Sequence, residues 1–442
     1  MKLLKKQKLE INLSTKQHLM TILMIIGLFT VLSYFLNNVF PLINMKTWKF
    51  DMPLPIQPRN PVGYDFRWGL YWPVERILNG QNIYFDAFSN YPPFVNIFFM
   101  PFQLINENSA YILMVFILLI TNTINLYIST IIITNLLAPR IEISNFSLRI
   151  FFICVFVMIL SYTLSSYPFL FSVERGNYDA IAFLFILLTT HSIIKKPEAL
   201  WLHVVLLSIA SHLKIYPAAL FLLLFIIHGK NVIIPTLVTN LILLLSLGFN
   251  NALLFVHVMI NYVKDPLIWV GNHSGAGFAE KLYNYLPILQ NQFGQLKPIF
   301  TIVPILIWAA SCYIIIKNLS GNFRNIYLFI VSVPLMCVVP TVSHDYKLVI
   351  LSSGLLIFLG LLSYKIICSS KLWDYLQLIT VLLLFFFIGR SFAYNEGLLN
   401  FLSNKYPLII IFSLIMMVNL IPISKIINSQ HENIDQGPIE DV

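Results

Sequence analysis

Several short groups of ionisable and aromatic side chains interrupt an otherwise apolar chain, and the first of them surrounds a single carboxylate. Asp65 lies in the stretch Gly63-Tyr64-Asp65-Phe66-Arg67-Trp68, where aromatic neighbours could exclude water from the carboxylate and Arg67 could keep it ionised. A carboxylate in that setting can remove a proton from a hydroxyl group as a general base. An exposed carboxylate paired with Arg67 explains the same residues, and composition alone favours that alternative.

A second group of charges, Glu174-Arg175-Gly176-Asn177-Tyr178-Asp179, lies between two apolar runs. It is explained either by a surface hairpin with internal ion pairs or by Asn177 and Asp179 projecting into a substrate cavity. Lys214 interrupts another apolar region. A lysine at depth in a membrane is costly unless it meets an anion such as a lipid phosphate, although it can also extend to the interface.

Three further polar stretches are candidates for ligand contact. Tyr91-Pro92-Pro93 predicts a rigid turn that could bring Tyr91 to a substrate. Gly271-Asn272-His273-Ser274-Gly275 could approach a sugar, but such a stretch is usually a turn. Ser343-His344-Asp345-Tyr346-Lys347 could hydrogen-bond a phosphate or an acceptor, and a capped helix start explains it equally well.

The composition indicates that these groups belong to a membrane protein. Of the 442 residues, 58% are hydrophobic and only 11% are charged, against roughly 25% charged in a soluble domain. The chain is therefore an integral membrane protein, which excludes a secreted disulfide scaffold, a nucleic-acid-binding domain and a cytosolic enzyme. The net charge of +9 reflects an excess of lysine and arginine, whose positions in a membrane protein indicate which loops face the cytoplasm. The four cysteines form no disulfide framework and no metal-ligand spacing.

The apolar pattern predicts an all-α polytopic membrane protein. About 20 apolar residues cross a bilayer, and the sequence contains twelve candidate segments, near 19–40, 110–136, 149–168, 179–194, 200–213, 215–228, 231–249, 299–316, 325–340, 347–367, 375–389 and 406–424. Lysines precede the first segment, so residues 1–18 are predicted to be a cytoplasmic basic N-terminus. Residues 19–424 then form a single transmembrane domain, and 425–442 form a disordered cytoplasmic tail.

This count places two long loops, about 41–109 and 250–298, on the outer face of the plasma membrane, together with every polar group named above. The short segments flanking 211–214 are predicted to be a broken pair that reaches part-way across the bilayer. An outer-face site has no access to cytoplasmic nucleotide sugars, so a sugar would come from a lipid carrier. Such transfer needs a carboxylate base, cations for the leaving phosphate and a groove for the lipid tail.

The order of the motifs resembles glycosyltransferase family 87 over residues 60 to 350. The resemblance is carried by Asp65 with its spacing to Gly80 and Tyr84, and then by Tyr91-Pro92-Pro93, Arg175-Gly176-Asn177, Lys214-Ile215-Tyr216-Pro217, Gly271-Asn272-His273-Ser274 and His344-Asp345-Tyr346. It implies a GT-C-type fold and an α-mannosyltransferase that uses polyprenyl-phosphate mannose, with a glycan or glycolipid as acceptor.

The resemblance also implies roles for individual residues. Asp65 corresponds to the catalytic base, and Lys214 and His344 correspond to residues around the donor phosphate. The full set of candidate substrate-binding residues is Arg67, Tyr91, Arg175, Asn177, Asp179, Lys214, Asn272, His273, His344 and Asp345. His273 stands where the family often has glutamine, and Arg175 departs from the usual Gly-Gln-Asn form, which leaves the sugar and the acceptor open. Transfer from a β-linked donor to an α-linked product inverts the anomeric carbon, and one base then suffices.

Two other classes of function remain open on the residues alone. A transporter or flippase of lipid-linked sugars would use the outer loops as gates, but the chain lacks the internal repeat and mid-membrane charges typical of transporters. A non-catalytic assembly subunit would have no reason to retain Asp65. The expected partners are membrane lipids, the polyprenyl-phosphate sugar and its acceptor. No cofactor, metal or nucleic acid is expected.

Overall fold

The computed structural model describes residues 2–36, 62–85, 89–141, 145–264, 271–286, 293–369, 371–391 and 401–435, and these ranges contain helices but no strand. The α-helices, in chain order, are α1 Lys2–Tyr34, α2 Tyr64–Phe66, α3 Trp72–Leu78, α4 Pro93–Phe99, α5 Glu107–Leu137, α6 Asn145–Ser165, α7 Tyr167–Arg175, α8 Asp179–Lys195, α9 Leu200–Leu213, α10 Phe221–His228, α11 Ile233–Leu244, α12 Phe249–Lys264, α13 Gly275–Tyr285, α14 Phe293–Asn318, α15 Gly321–Val338, α16 Leu351–Ser369, α17 Leu372–Ile388 and α18 Tyr406–Asp435. Five 3₁₀ turns are also described, Met100–Leu104, Tyr216–Leu220, Gly229–Val232, Leu245–Leu247 and Asp345–Ile350, and a π-helical turn covers Arg67–Tyr71.

Several of these helices are long and apolar enough to cross a membrane. Within the described ranges eight pass on length and composition: Thr15–Tyr34, Glu107–Leu137, Ser147–Ser165, Tyr216–Leu247, Leu296–Asn318, Gly321–Val338, Asp345–Ser369 and Tyr406–Ile427. A ninth is possible if α7 and α8, which meet at a bend of 114°, form one broken span. The predicted all-α polytopic membrane fold is confirmed.

Each of the twelve predicted apolar segments overlaps a described helix, although several boundaries differ. The first helix begins at Lys2, within the predicted N-terminal segment. The last continues to Asp435, so the prediction of a disordered tail from residue 425 is wrong for 425–435. Ile423 and Ile427 are buried and anchor this helix on the core. Extending an existing helix costs less free energy than nucleating a new one. The predicted tail residues 436–442 lie outside the described ranges, as do 37–40 of the first predicted segment, 41–61 and 86–88 of the first predicted loop, and 265–270 and 287–292 of the second.

The hydrophobic core surrounds α16. Residues 351–366 of this helix are all buried, and α16 packs against α1, α5, α6, α15, α17 and α18. Near its C-terminal end, the Lys365 ammonium lies 2.6 Å from the Asp374 carboxylate of α17 and donates to Asn419 of α18 over 2.7 Å. A buried charge pair is tolerated when further hydrogen bonds satisfy it, so this contact joins three helices without an unpaired charge.

Helix α9 packs against both α10 and α11. Gly229 has φ 64° and ψ −151°, which ends α10 and turns the chain. The rings of His203 at the start of α9 and His228 at the end of α10 approach to 3.1 Å, and Ser208 accepts from Asn240 of α11 over 3.1 Å. The 14 residues of α9 span about 21 Å, less than the roughly 30 Å of a bilayer core. A break is present where the sequence predicted one, since α9 ends at Leu213 and a 3₁₀ turn begins at Tyr216, and Lys214 lies within this break.

Candidate active site

Contacts made by the residues on either side of Asp65 hold it at the start of a short helical segment. Gly63 has φ 78°, and its N–H donates to the carbonyl of Glu174 over 2.7 Å. A Cβ added at Gly63 would lie 2.7 Å from the Tyr111 ring. Phe66 is completely buried and packs against Phe102 and Tyr111. These contacts leave Asp65, with a side chain 22% exposed, at the edge of the core.

The break between α7 and α8 brings two partners to Asp65. Gly176 ends α7 in the left-handed region, with φ 66°, and a Cβ there would lie only 2.6 Å from the Cβ of Phe66. The chain then turns so that Arg175 Nη1 lies 3.6 Å from Asp65 Oδ1 and Asn177 Nδ2 lies 3.5 Å from Asp65 Oδ2. Only glycine allows both the turn and this close approach. The second group of charges and Asp65 therefore form one site.

Opposing effects set the pKa of Asp65. The largest effect is burial, which raises the pKa of its carboxyl group above the usual value. Arg175, Lys214 and the Asn177 amide each lower this pKa. Asp179 raises it further through repulsion. The net direction is upward, which makes the carboxylate a stronger base once it has lost its proton.

Asp179 and Lys214 form a second, more deeply buried pair. The Lys214 ammonium lies 3.4 Å from Asp179 Oδ2, and both residues are buried. The same ammonium lies 4.1 Å from the Tyr178 ring centroid and 5.0 Å from that of Tyr91, distances at which cation–π attraction operates. Burial lowers the pKa of Lys214, but Asp179, Tyr91 and Asp65 outweigh it and leave that pKa raised. Lys214 is therefore a cation at neutral pH.

A cavity of about 490 Å³ lies against this pair. The polar and aromatic lining residues, which we call the polar wall, are Tyr91, Asp179, Lys214, Tyr216, Tyr262, His344, Tyr346 and Lys347. The apolar lining residues, which we call the apolar wall, include Ile215, Ala219, Met259, Leu335, Met336 and Val339. Asp65 lies beside the polar wall, because Asn177 contacts both it and the backbone of Asp179. The cavity therefore combines charged and hydrocarbon surfaces next to a carboxylate.

The loop after α15 supplies further cavity residues. His344 lines the cavity, and burial, together with nearby cations of which Lys347 is the foremost, lowers the pKa of its imidazole to about 3. His344 is therefore neutral at physiological pH. Lys347 Nζ donates to the carbonyl of Val342 over 3.0 Å and lies 4.8 Å from the Tyr216 ring centroid. The loop thus places a second ammonium group at the cavity.

Asn272 and His273 hold that loop in place. The side chain of Asn272 donates to the carbonyl of Thr341 over 3.0 Å and accepts from the N–H of Ser343 over 2.9 Å. The His273 backbone N–H donates to the carbonyl of Ser343 over 2.7 Å, and His273 Nε2 lies 2.9 Å from Asp345 Oδ1. We call Asn272 and His273 the bracket. Both are completely buried, as is Asp345 apart from 4% of its surface.

The bracket changes the interpretation of three candidate residues. The sequence suggested that Asn272, His273 and Asp345 contact the substrate, whereas the structure commits their polar atoms to one another and to the backbone. His273 Nδ1 also accepts from the backbone N–H of Lys405 over 3.1 Å, so Nε2 carries the proton that Asp345 accepts. These residues position His344 and its neighbours, and the cavity lining does not include them.

Arg67 is the other candidate whose place differs from expectation. Its guanidinium lies 2.5 Å from Glu107 and donates to Asn108 over 3.1 Å. The prediction that Arg67 keeps Asp65 ionised is therefore wrong, and Arg175 is the cation that contacts this carboxylate. Residues two apart on a helix point in different directions, which separates Arg67 from Asp65 despite their closeness in sequence.

The structure adds cavity residues that the sequence did not single out as candidates. They are Tyr216, Tyr262, Tyr346 and Lys347 on the wall, with Tyr178 beneath Lys214. Four of these lie within two positions of a predicted site residue, so the sequence motifs around the predicted residues could have indicated them. Tyr262 lies on α12, where nothing in the local pattern distinguishes it.

The chain matches no curated protein and no solved structure. Residues 88–341, more than half of the chain, match glycosyltransferase family 87. The matched range contains Tyr91, Arg175, Asn177, Asp179 and Lys214, and it lies between Asp65 and His344. Together with the polytopic helical fold, this match shows that the chain belongs to glycosyltransferase family 87 and is a membrane glycosyltransferase.

Proposed function

We propose that the protein transfers mannose from a polyprenyl-phosphate donor to a hydroxyl group of a glycan or lipid-linked acceptor, at the outer face of the plasma membrane and with inversion. The observation that carries this proposal is the position of one carboxylate, Asp65, beside a cavity that is lined both by cations and by hydrocarbon. A lipid phosphosugar has the same division into an anionic group and an apolar tail.

The cations of the polar wall fit the donor phosphate. Lys214 and Lys347 both line the cavity, and His344, which also lines it, is a neutral hydrogen-bonding group. Lys214 already lies against the carboxylate of Asp179, so its charge is maintained before a donor arrives. Fixed cations of this kind stabilise the charge that develops on a departing phosphate without reorganising during the reaction.

The apolar wall fits the lipid tail. Met259, Leu335 and Val339 line the cavity, as does Ile215, which is 45% exposed. An isoprenoid chain in this position would keep its hydrocarbon out of water from the cavity to the bilayer, which the hydrophobic effect favours. In this proposal the phosphate lies at the polar wall and the sugar points towards Asp65.

Asp65 is proposed to be the general base. It accepts the proton of the acceptor hydroxyl while the oxygen of that hydroxyl attacks the anomeric carbon, and the carbon–oxygen bond to the donor phosphate breaks. Inversion requires only one carboxylate, by analogy with inverting glycosidases. Asp179 is proposed not to share this role, because Lys214 holds its carboxylate within the buried pair.

The test uses purified protein with polyprenyl-phosphate mannose and an extract of envelope glycans as acceptor. The proposal predicts release of polyprenyl phosphate that depends on the acceptor, together with an α-linked mannose in the product by NMR. Movement of the donor across a vesicle membrane without cleavage would overturn the proposal in favour of a flippase. Acceptor-dependent cleavage of a lipid-linked sugar other than mannose would overturn the donor assignment alone.

A further inference from the structure

An aromatic row runs along the segment that carries Asp65. We use this name for Tyr64, Trp68 and Trp72, which are spaced four residues apart. The ring centroids of Tyr64 and Trp68 are 5.9 Å apart, and those of Trp68 and Trp72 are 4.9 Å apart. Trp68 is 40% exposed. The row therefore presents accessible aromatic surface that begins one residue before the proposed base.

The row and the cavity lie on different faces of this segment. Gly69 packs against Tyr91 of the cavity wall, and a Cβ at Gly69 would lie 2.7 Å from the Tyr91 ring. Residues four apart share a helix face, so Asp65 lies on the same face as Gly69 and the aromatic row occupies the next one. A donor in the cavity would approach Asp65 from one side, which leaves the side with the aromatic row for the acceptor.

A polar rim borders the aromatic row. The indole N–H of Trp72 donates to Glu107 Oε2 over 3.0 Å, and Glu107 also pairs with Arg67. Arg67 donates to Asn108 over 3.1 Å. The side chains of Arg67 and Glu107 are 22% and 29% exposed. Covering this rim with hydrocarbon would remove water from charged groups at a cost, whereas hydroxyl groups could replace that water.

The backbone beneath the row is unusual as well. Residues Arg67–Tyr71 form a π-helical turn immediately after Asp65. Such turns are rare and occur frequently at functional sites. This turn carries Trp68 on one face and Gly69 on the other, so it links the aromatic row with the cavity wall.

We propose that the aromatic row binds a neutral glycan chain of the acceptor, with its sugar rings on Tyr64, Trp68 and Trp72 and their hydroxyl groups at the rim of Arg67 and Glu107. The inference rests on the proposed function for the direction of the chain, which leads its terminal hydroxyl to Asp65. Pyranose rings have an apolar face and a hydroxyl edge, which matches aromatic rings bordered by polar groups. The acceptor is therefore an oligosaccharide rather than a protein hydroxyl group.

A binding measurement tests this proposal without requiring turnover. Purified protein in nanodiscs is titrated with soluble tetrasaccharides of mannose, glucose and N-acetylglucosamine, and saturation-transfer NMR measures the dissociation constants. We expect at least one to bind, with Trp68→Ala weakening it about three- to tenfold, the worth of one good aromatic contact, and Trp68→Phe weakening it less. Trp373→Ala removes a tryptophan that is 63% exposed on α17 and should have no effect.

Two outcomes would overturn the aromatic row as a glycan site. One is equal tetrasaccharide binding by the wild type and Trp68→Ala, or no binding by either. The other is quenching of Trp68 fluorescence by brominated lipids with no response to saccharide, which would assign the ring to the membrane interface. Asp65→Asn separates this proposal from the proposed function, because it should abolish transfer and retain tetrasaccharide binding. If the wild type binds glycan without transferring a sugar, the proposed function fails and the glycan site stands.

Discussion

Replacing Asn272 by alanine separates a residue that positions the active site from one that touches the substrate. In the structure the Asn272 side chain donates to Thr341 O and accepts from the N–H groups of Ser343 and Ser274. Alanine leaves both of these N–H groups without their acceptor in a buried site. Each unsatisfied buried group costs about 1–3 kcal/mol, so the substitution should lower the free energy of unfolding by about 2–6 kcal/mol.

The assay follows thermal unfolding in detergent together with the kinetics of transfer. We expect Asn272→Ala to melt at a clearly lower temperature and to lose donor affinity as well, because the loop it holds carries His344 and Lys347 to the cavity. Asn261→Ala is the control, since Asn261 is exposed and its side chain contacts His257 one turn earlier. An unchanged melting temperature with a raised KM would refute the positioning role and restore direct contact with the sugar.

Three further predictions concern the groups around Asp65. Because the base must be ionised and burial raises the pKa of Asp65 while Arg175 lowers it, Arg175→Gln should move the acid limb of the pH profile of kcat/KM to higher pH, and an unmoved limb would count against Asp65 as the titrating group. Gly176→Ala should destabilise the protein more than Gly80→Ala, since both glycines have positive φ but only at Gly176 does an added Cβ meet a neighbour, at 2.6 Å; comparable melting temperatures would contradict this. Lys214→Ala should raise the KM for the lipid phosphate, and an unchanged KM would remove Lys214 from the phosphate site.

The membrane fold was predictable because a membrane span is a local property of the sequence. A run of about 20 apolar residues is sufficient signal for one, and each predicted segment overlaps a described helix. The helix ends were less predictable. The extension of α18 to Asp435 depends on anchoring by buried Ile423 and Ile427 rather than on the polar residues that follow.

The pairing of site residues was harder to predict from the sequence, since it depends on contacts between distant parts of the chain. Asp65 meets Asn177 across 112 positions, and His273 meets Asp345 across 72. Sequence reasoning instead paired Asp65 with Arg67, its close neighbour in the chain, although the helix directs Arg67 towards Glu107. It also could not distinguish a histidine that contacts the substrate from His273, which is buried and hydrogen-bonded on both ring nitrogens.

The motifs nevertheless named residues that lie close together in the structure. Tyr91, Asp179, Lys214 and His344 were all candidates, and all line one cavity in the structure. Each is an ionisable or aromatic residue next to a break in an apolar run, where polar groups have no role in spanning the bilayer. Tyr262 was missed because it lies within α12 and shows no such break.

The most direct test of Asp65 as the base is transfer by purified Asp65→Asn, with Glu75→Gln as a control that neutralises an exposed carboxylate in the neighbouring helix α3. Asparagine keeps the size of the side chain and removes its ability to accept a proton. We expect donor binding and the melting temperature to be retained, and acceptor-dependent release of polyprenyl phosphate to fall about 10²–10⁴-fold. Wild-type turnover by Asp65→Asn would contradict the account.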